Sequence, residues 1–190
     1  MHRVLLSPPE SLGHDLRVLR KRRGMTLVTV AETVGRSVGW LSQVERGLSE
    51  PSDAELRELA RVFGVSVESF FGSAPTPPGE ADVIVRNGAR RQLGHRVGGL
   101  AEELVSPDLT DDFEVVHSTF QPGAERLEMV RRPTQEVAYV VSGELEITID
   151  TQTFTVGPGD SFRIRGEPFR WANRGPVPCI AIWVIAPPVY

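Results

Sequence analysis

The nine residues "GSAPTPPGE" (Gly72 to Glu80) constrain this chain more than any other stretch. They hold three prolines, two glycines and no large apolar side chain, so they can neither enter a core nor sustain regular structure. They divide 190 residues into two parts with different hydrophobic periods. Before the break apolar residues recur at helical spacing, and after it they alternate at strand spacing. The chain is therefore expected to fold as two domains, 1–71 and 81–190, joined by a linker at 72–80, in an α + β arrangement.

The first part reads as five short helices. Leu12, Leu16 and Leu19 share one face of a helix ended by Gly24. Leu27, Val30, Ala31 and Val34 mark a second, with Thr26 as N-cap and Gly35 as its stop. Ser37 caps a third that carries Val38, Leu41 and Val44 inward and stops at Gly47. Ser52 or Asp53 starts a fourth, with Leu56, Leu59, Ala60 and Phe63, stopped by Gly64. Ser66 to Phe71 reads as a short fifth. The second part offers "DFEVVHSTF", "EVAYVVSG", "ELEITID", "DSFRIR" and "CIAIWVIA", separated by Gly/Pro turns. Many short strands at regular spacing indicate an antiparallel sandwich or barrel.

Charge separates the two parts as clearly as periodicity does. The whole chain carries −4, yet residues 12–46 hold seven basic groups against three acidic ones. A basic block on short helices suits a polyanion, whereas the acidic remainder does not. The single Cys179 excludes an intrachain disulfide framework and lies in an apolar run, as a buried, inert thiol would. No apolar stretch reaches the ~20 residues needed to span a bilayer, and "MHRVLLSPPE" shows no signal-peptide pattern. A cytoplasmic protein with no membrane partner is expected.

A tight turn, "VGRS", joins the second and third helices, and the stretch "LRVLRKRRGMTLVTVAETVGRSVGWLSQVERG" with the following "LRELARVFGVS" resembles the XRE-type, lambda-repressor-like helix-turn-helix domain. The resemblance covers Leu12 to about Phe71 and implies a DNA-reading third helix. On the face opposite its core stripe that helix presents Ser37, Gly39, Trp40, Ser42 and Gln43. Small and amide side chains suit the major groove, and Gln43 can pair bidentately with adenine. Trp40 belongs either to the core or to the DNA surface; its offset from Val38, Leu41 and Val44 favours the surface. Arg36 and Arg46 flank the helix as phosphate contacts, and Arg22 and Arg23 are either phosphate contacts or a solvated run. By the same resemblance Glu45 pairs with Arg20 on the first helix.

The second part resembles the cupin superfamily of small β-barrels from roughly Asp82 to Pro188, by spacing more than by residue identity. Gly123, Met129, Arg131, Glu136 and Gly143 keep the spacing of the first cupin motif, and "GPGDSFRIRGEPFRWANRG" resembles the second, with Phe169 at its histidine position and Asn173 at its asparagine. In metal-binding members three histidines and the glutamate hold the ion. Here only the glutamate stands. Met129, Arg131 and Phe169 supply no suitable donor, so no metal and no cofactor is expected. Glu136 is then read as the partner of Arg131. Met129, Arg131, Glu136, Phe169 and Trp171 would line a pocket for an unknown small-molecule effector, or the barrel would only dimerise.

Together these readings describe a homodimeric transcriptional regulator that binds a double-stranded DNA operator. The rival readings are a cupin isomerase or oxygenase tethered to DNA, with His117 as a possible base, and a structural dimeric repressor whose barrel binds nothing.

Overall fold

The computed structural model describes residues 12–65, 67–70, 80, 83–93, 97–106 and 111–188. Most of the expected linker, together with Ser66, Phe71 and His95, lies outside the described residues. The described residues pack as two units, the first ending at Leu93 and the second comprising 97–106 and 111–188.

The first unit holds four α-helices: α1 (Leu12–Arg22), α2 (Leu27–Thr33), α3 (Val38–Glu45) and α4 (Asp53–Phe63). The expected fifth helix is a single 3-10 turn, Val67–Phe70, whose Phe70 is fully buried. Four residues cannot close the successive i→i−4 bonds of an α-helix, so the burial of one ring determines that segment. The other helices begin where local chemistry dictates. Thr26 and Ser37 accept from the backbone N–H groups of Thr29 and Trp40, both at 3.1 Å. Ser52 and Glu55 form a reciprocal capping box at the head of α4. Gly35, between α2 and α3, stands at φ 67°. That left-handed position is the one a side chain would strain, and it turns the chain from one helix into the next.

Leu16, Leu19, Val30, Leu41, Val44, Leu56, Leu59 and Phe63 form the core of this unit. Each such side chain contributes about 1.5–3 kcal/mol on burial. Val38, expected among them, is 39% exposed, because the first residue of α3 precedes the turn that meets α1 and α2. Gly13 sits against the end of α3, where an added methyl would collide with the Val44 carbonyl oxygen. Asp15, buried on α1, pairs with Arg91 of the two-residue strand β1 (Arg91–Gln92) at 2.8 Å.

The second unit is built from β2 (Leu100–Leu104), β3 (Glu114–Phe120), β4 (Gln135–Ser142), β5 (Leu145–Ile149), β6 (Gln152–Val156), β7 (Ser161–Arg165), β8 (Phe169–Ala172) and β9 (Cys179–Ala186). Its strands form two antiparallel sheets, ordered β2-β3-β9-β4-β7 and β6-β5-β8. The expected closed barrel is therefore a two-sheet sandwich. Three strands of this unit went unrecognised in the sequence. In β2, "LAEEL" has helical composition. In β6, "QTFTV" is exposed along nearly its whole length. In β8, four residues are too few to show a period.

Burial alternates strictly along β3, β4 and β9. The inner face carries Val116, Ser118, Phe120, Glu136, Ala138, Val140, Cys179, Ala181, Trp183 and Ile185. Burial pushes the Cys179 thiol up to about 11, which keeps it protonated and unreactive at neutral pH. Asn173, fully buried, closes the loop after β8. Its Nδ2 donates to the Phe120 and Val177 carbonyl oxygens, and its Oδ1 accepts from Gly175 N–H, each at 2.9 Å. Among the described residues no helix is long and apolar enough to cross a membrane.

Candidate functional sites on the recognition helix and in the sandwich

The turn at Gly35 and the cap at Ser37 fix the direction in which α3 leaves α2. Leu41, Val44 and Glu45 point into the unit, so the opposite face is turned outward. That face presents Ser37, Gly39, Gln43 and Arg46 exposed, with Trp40 and Ser42 half-buried. All seven residues expected to meet DNA thus lie on α3 or at its ends. Two are also engaged within the unit. The Arg36 guanidinium stacks 4.8 Å from the centre of the Trp40 ring and pairs with Glu55 at 3.0 Å. Arg46 Nε donates to the Ser42 carbonyl oxygen at 3.1 Å. Burial raises the Glu55 carboxyl, but hydrogen bonds from the Ser52 backbone and hydroxyl, with the charge of Arg36, hold it below its ordinary value. Trp40 therefore lies under a cation at the edge of the surface, between the two positions considered for it.

Beneath the helix, Arg20 Nε and Nη2 donate to the two carboxylate oxygens of Glu45 at 2.6 and 2.9 Å, and Arg20 Nη1 donates to the Met25 carbonyl oxygen. The hydrogen bonds to Glu45 push the guanidinium further above its ordinary value. This fork pins α3 to α1 and removes the one acidic charge of α3 from the outward face.

In the second unit, the segment ahead of β4 makes an isolated bridge, Val130 to Phe169, with mutual backbone bonds of 2.7 and 2.8 Å. Phe169 points inward, so its bridge partner Val130 does too, and alternation sends Met129 and Arg131 outward. Both are exposed. Arg131 Nε donates to the Gly166 carbonyl oxygen at 2.8 Å. The partner of Glu136 is consequently not Arg131 but Arg132, which shares the inward parity of Val130. Arg132 Nη2 lies 2.7 Å from Glu136 Oε2, and its guanidinium sits 5.2 Å from the centre of the Phe169 ring. Thr134 donates to Glu136 Oε1 at 2.6 Å. Glu136 is only 1% exposed, and its charge is held by these two groups.

Of the five residues expected to line a pocket, Glu136, Phe169 and Trp171 are interior and two are not. Trp171 packs edge-on against Phe120, 4.7 Å between ring centres. Three interior groups were missed in the sequence. Ser118 Oγ and Trp183 Nε1 are buried without a hydrogen-bond partner among the described residues, as is Arg132 Nε. A polar residue on the inner face of a strand was the available signal. Trp183 also lies near Phe162 and Phe169, at 5.3 and 6.3 Å between ring centres. Where β4 begins and β7 and β9 end, a cleft of about 470 Å³ is lined by Pro133, Thr134, Gln135, Arg165, Gly166, Ala186 and Pro187. Thr134 joins cleft and interior, since it lines the one and hydrogen-bonds Glu136 in the other.

A cupin metal centre does not fit these residues. Met129 and Arg131 face outward, Phe169 has no donor, and Glu136 is already engaged by a cation and a hydroxyl. His117 stands on the outer face of the sheet, its Nδ1 4.0 Å from Glu103. Among the described residues no three His, Cys, Asp or Glu side chains gather at one place.

A capped helix-turn-helix with an outward polar face, followed by a two-sheet sandwich, defines the class of protein: a DNA-binding domain carrying a cupin. The comparisons with known proteins agree. Residues 11–69 match the helix-turn-helix domain family and 116–185 the cupin domain family. The chain is 28% identical over 165 residues to the HTH-type transcriptional regulator PuuR of Escherichia coli, spanning 85% of this chain and 86% of that one. It is 36% identical over 91 residues to the HTH-type transcriptional regulator DdrOP3 of Deinococcus deserti, spanning 43% of this chain and 70% of that one. Among solved structures, the cupin domain of an XRE-family transcriptional regulator from Enterobacter cloacae aligns at 26% identity and a TM-score of 0.42, spanning 48% of this chain and 99% of that one. The chain belongs to the HTH-type transcriptional regulators.

Proposed function

We propose that this protein recognises a specific operator through α3, acts as a homodimer, and responds to a small polar molecule bound in its cupin unit without metal. The observation that carries the DNA reading is the outward face of α3. Gln43 is exposed in the middle of that face, and Gly39, one turn earlier, admits close approach of the backbone. Gln43 is assigned to a base edge, Ser37 and Ser42 to bases or phosphates, and Arg36 and Arg46 to phosphates. On this reading Arg36, whose side chain is exposed, exchanges the half-buried Glu55 for a phosphate on binding. Two copies of a small reader are needed because one helix covers too few bases for specificity.

The effector reading rests on the cleft above Thr134, together with the buried donors of Arg132 and Trp183 and the hydroxyl of Ser118. Such a constellation suits a ligand that carries acceptor groups on a partly apolar body. A ligand that draws Thr134 or Arg132 away from Glu136 would disturb the start of β4, and it would regulate only if it prefers one arrangement of the protein. No catalytic step is assigned. The base that an isomerase would need is on the outer face at His117, and the donors an oxygenase would need are absent from the motif positions.

The test is quantitative DNA binding. Gln43→Ala is expected to weaken the specific site by about 1–3 kcal/mol and random duplex hardly at all. Fluorescence anisotropy at fixed salt reads both. Unchanged specific affinity would remove α3 from its assigned role.

A further inference from the structure

The outer face of the larger sheet is apolar where a solvated sheet would be polar. Register aligns its outward residues in rows. Val137 lies beside Val184, and Val184 beside Val115. In the next row Tyr139 lies beside Ile182, and Ile182 beside His117. Beyond them stand Val141 and Ile180. Val137 and Tyr139 are 50% exposed, Val141 48% and Val184 42%. Isolated exposed apolar residues are ordinary, but a contiguous patch across three adjacent strands is a sign of an interface.

The edges of this face carry opposite charges. Arg163 and Arg165 stand outward on β7, paired with Val137 and Gln135 of β4. Glu103 stands outward on β2, paired with His117 of β3. The strand β9 is central, with β4 and β7 on one side and β3 and β2 on the other. A two-fold axis lying along β9 in the plane of contact would lay β7 of one copy over β2 of the other. Arg163 then falls one residue row from Glu103, within reach of two long side chains, and the symmetry makes the contact twice. The face is therefore complementary to itself in charge about an apolar centre, as an isologous interface requires.

We propose that this face pairs two copies of the chain, with Val137, Tyr139, Val141, Ile182 and Val184 at the centre and Arg163–Glu103 pairs at both edges. Two sheets packed in this way lie about 10 Å apart with strands nearly aligned. The proposal rests on the homodimer reading above and gives it a surface.

The experiment is sedimentation velocity of the full chain at micromolar concentration, with circular dichroism as the check on folding. Wild type is expected at twice its 20.9 kDa. Val137→Glu with Val184→Glu is expected to sediment as a monomer with an unchanged spectrum, since both side chains already face outward. Arg163→Glu and Glu103→Arg are each expected to weaken dimerisation about tenfold or more, and the double reversal to restore it. That restoration separates a contact from mere misfolding. If wild type is dimeric and both the apolar variant and the charge reversals leave it so, the interface lies elsewhere while the homodimer reading stands. If wild type is a monomer yet binds a specific duplex, both the interface and the homodimer reading fall while the DNA reading stands.

Discussion

Glu45→Ala is expected to destabilise the helical unit by about 3 kcal/mol, enough to lower its melting temperature by roughly 12 °C or more. The loss does not measure the worth of the Arg20–Glu45 pair. Burying two charges offsets most of their attraction, so the intact pair adds little net stability. The cost comes from what remains. Arg20 cannot deprotonate; its side chain is 11% exposed, and without Glu45 it keeps only the Met25 carbonyl as an identified acceptor. Glu45→Gln retains one acceptor and should lose less. The helical band of circular dichroism reports this unit, because all four α-helices of the described residues belong to it. A transition that does not move would show that the fork is ornamental. A transition that moves together with weaker operator binding would show that it also fixes the angle at which α3 is presented.

Arg132→Met is expected to have a comparable or larger effect on the sandwich, about 3–5 kcal/mol. Glu136 is more deeply buried than Glu45, and the substitution leaves its carboxylate with Thr134 as its identified hydrogen-bond partner. It also removes the guanidinium from the face of Phe169. Adding Glu136→Gln removes the stranded charge while preserving an oxygen for the Thr134 hydroxyl. The double variant should therefore be more stable than Arg132→Met alone, a reversal that side-chain truncation alone would not produce. Denaturant unfolding followed by tryptophan fluorescence measures it, since Trp171 and Trp183 are both buried in this unit. The matching Arg131→Met substitution touches only an exposed bond to Gly166 and is expected to cost less than about 1 kcal/mol. Equal costs for the two arginines would contradict the assigned parity.

The difference between Arg131 and Arg132 shows where the sequence stops being legible. Motif spacing located Glu136 and its neighbourhood, but spacing counts residues and does not say which way they face. Ahead of β4 the chain is held by one isolated bridge to Phe169, so parity there is set by a partner thirty-nine positions away, and no local alternation reveals it. Strands β4 and β9 are apolar on both faces, so the sequence located them without saying which residues face inward. Within β5 the alternation of Leu145, Ile147 and Ile149 with polar neighbours is local and was legible. The helical unit was legible for a similar reason. Thr26, Ser37, Ser52 and the glycines act within three or four residues, so their effects are written locally. Phe70 and Val38 were misread because burial, which depends on distant neighbours, overrode a local pattern. The buried groups of Ser118 and Trp183 were missed because their inward direction is set by pairing across the sheet rather than by the residues beside them.

The most direct test of the account is selection of duplexes from a random pool by the full-length protein, followed by binding measured on the selected sequence. The account predicts an enriched inverted repeat, with half-sites centred about 10 bp or a multiple apart. Gln43→Ala should relax the preference at one position in each half, while Arg46→Ala weakens all sequences alike and reduces the salt dependence. No enrichment over the starting pool, or an enriched site indifferent to Gln43→Ala, would contradict it.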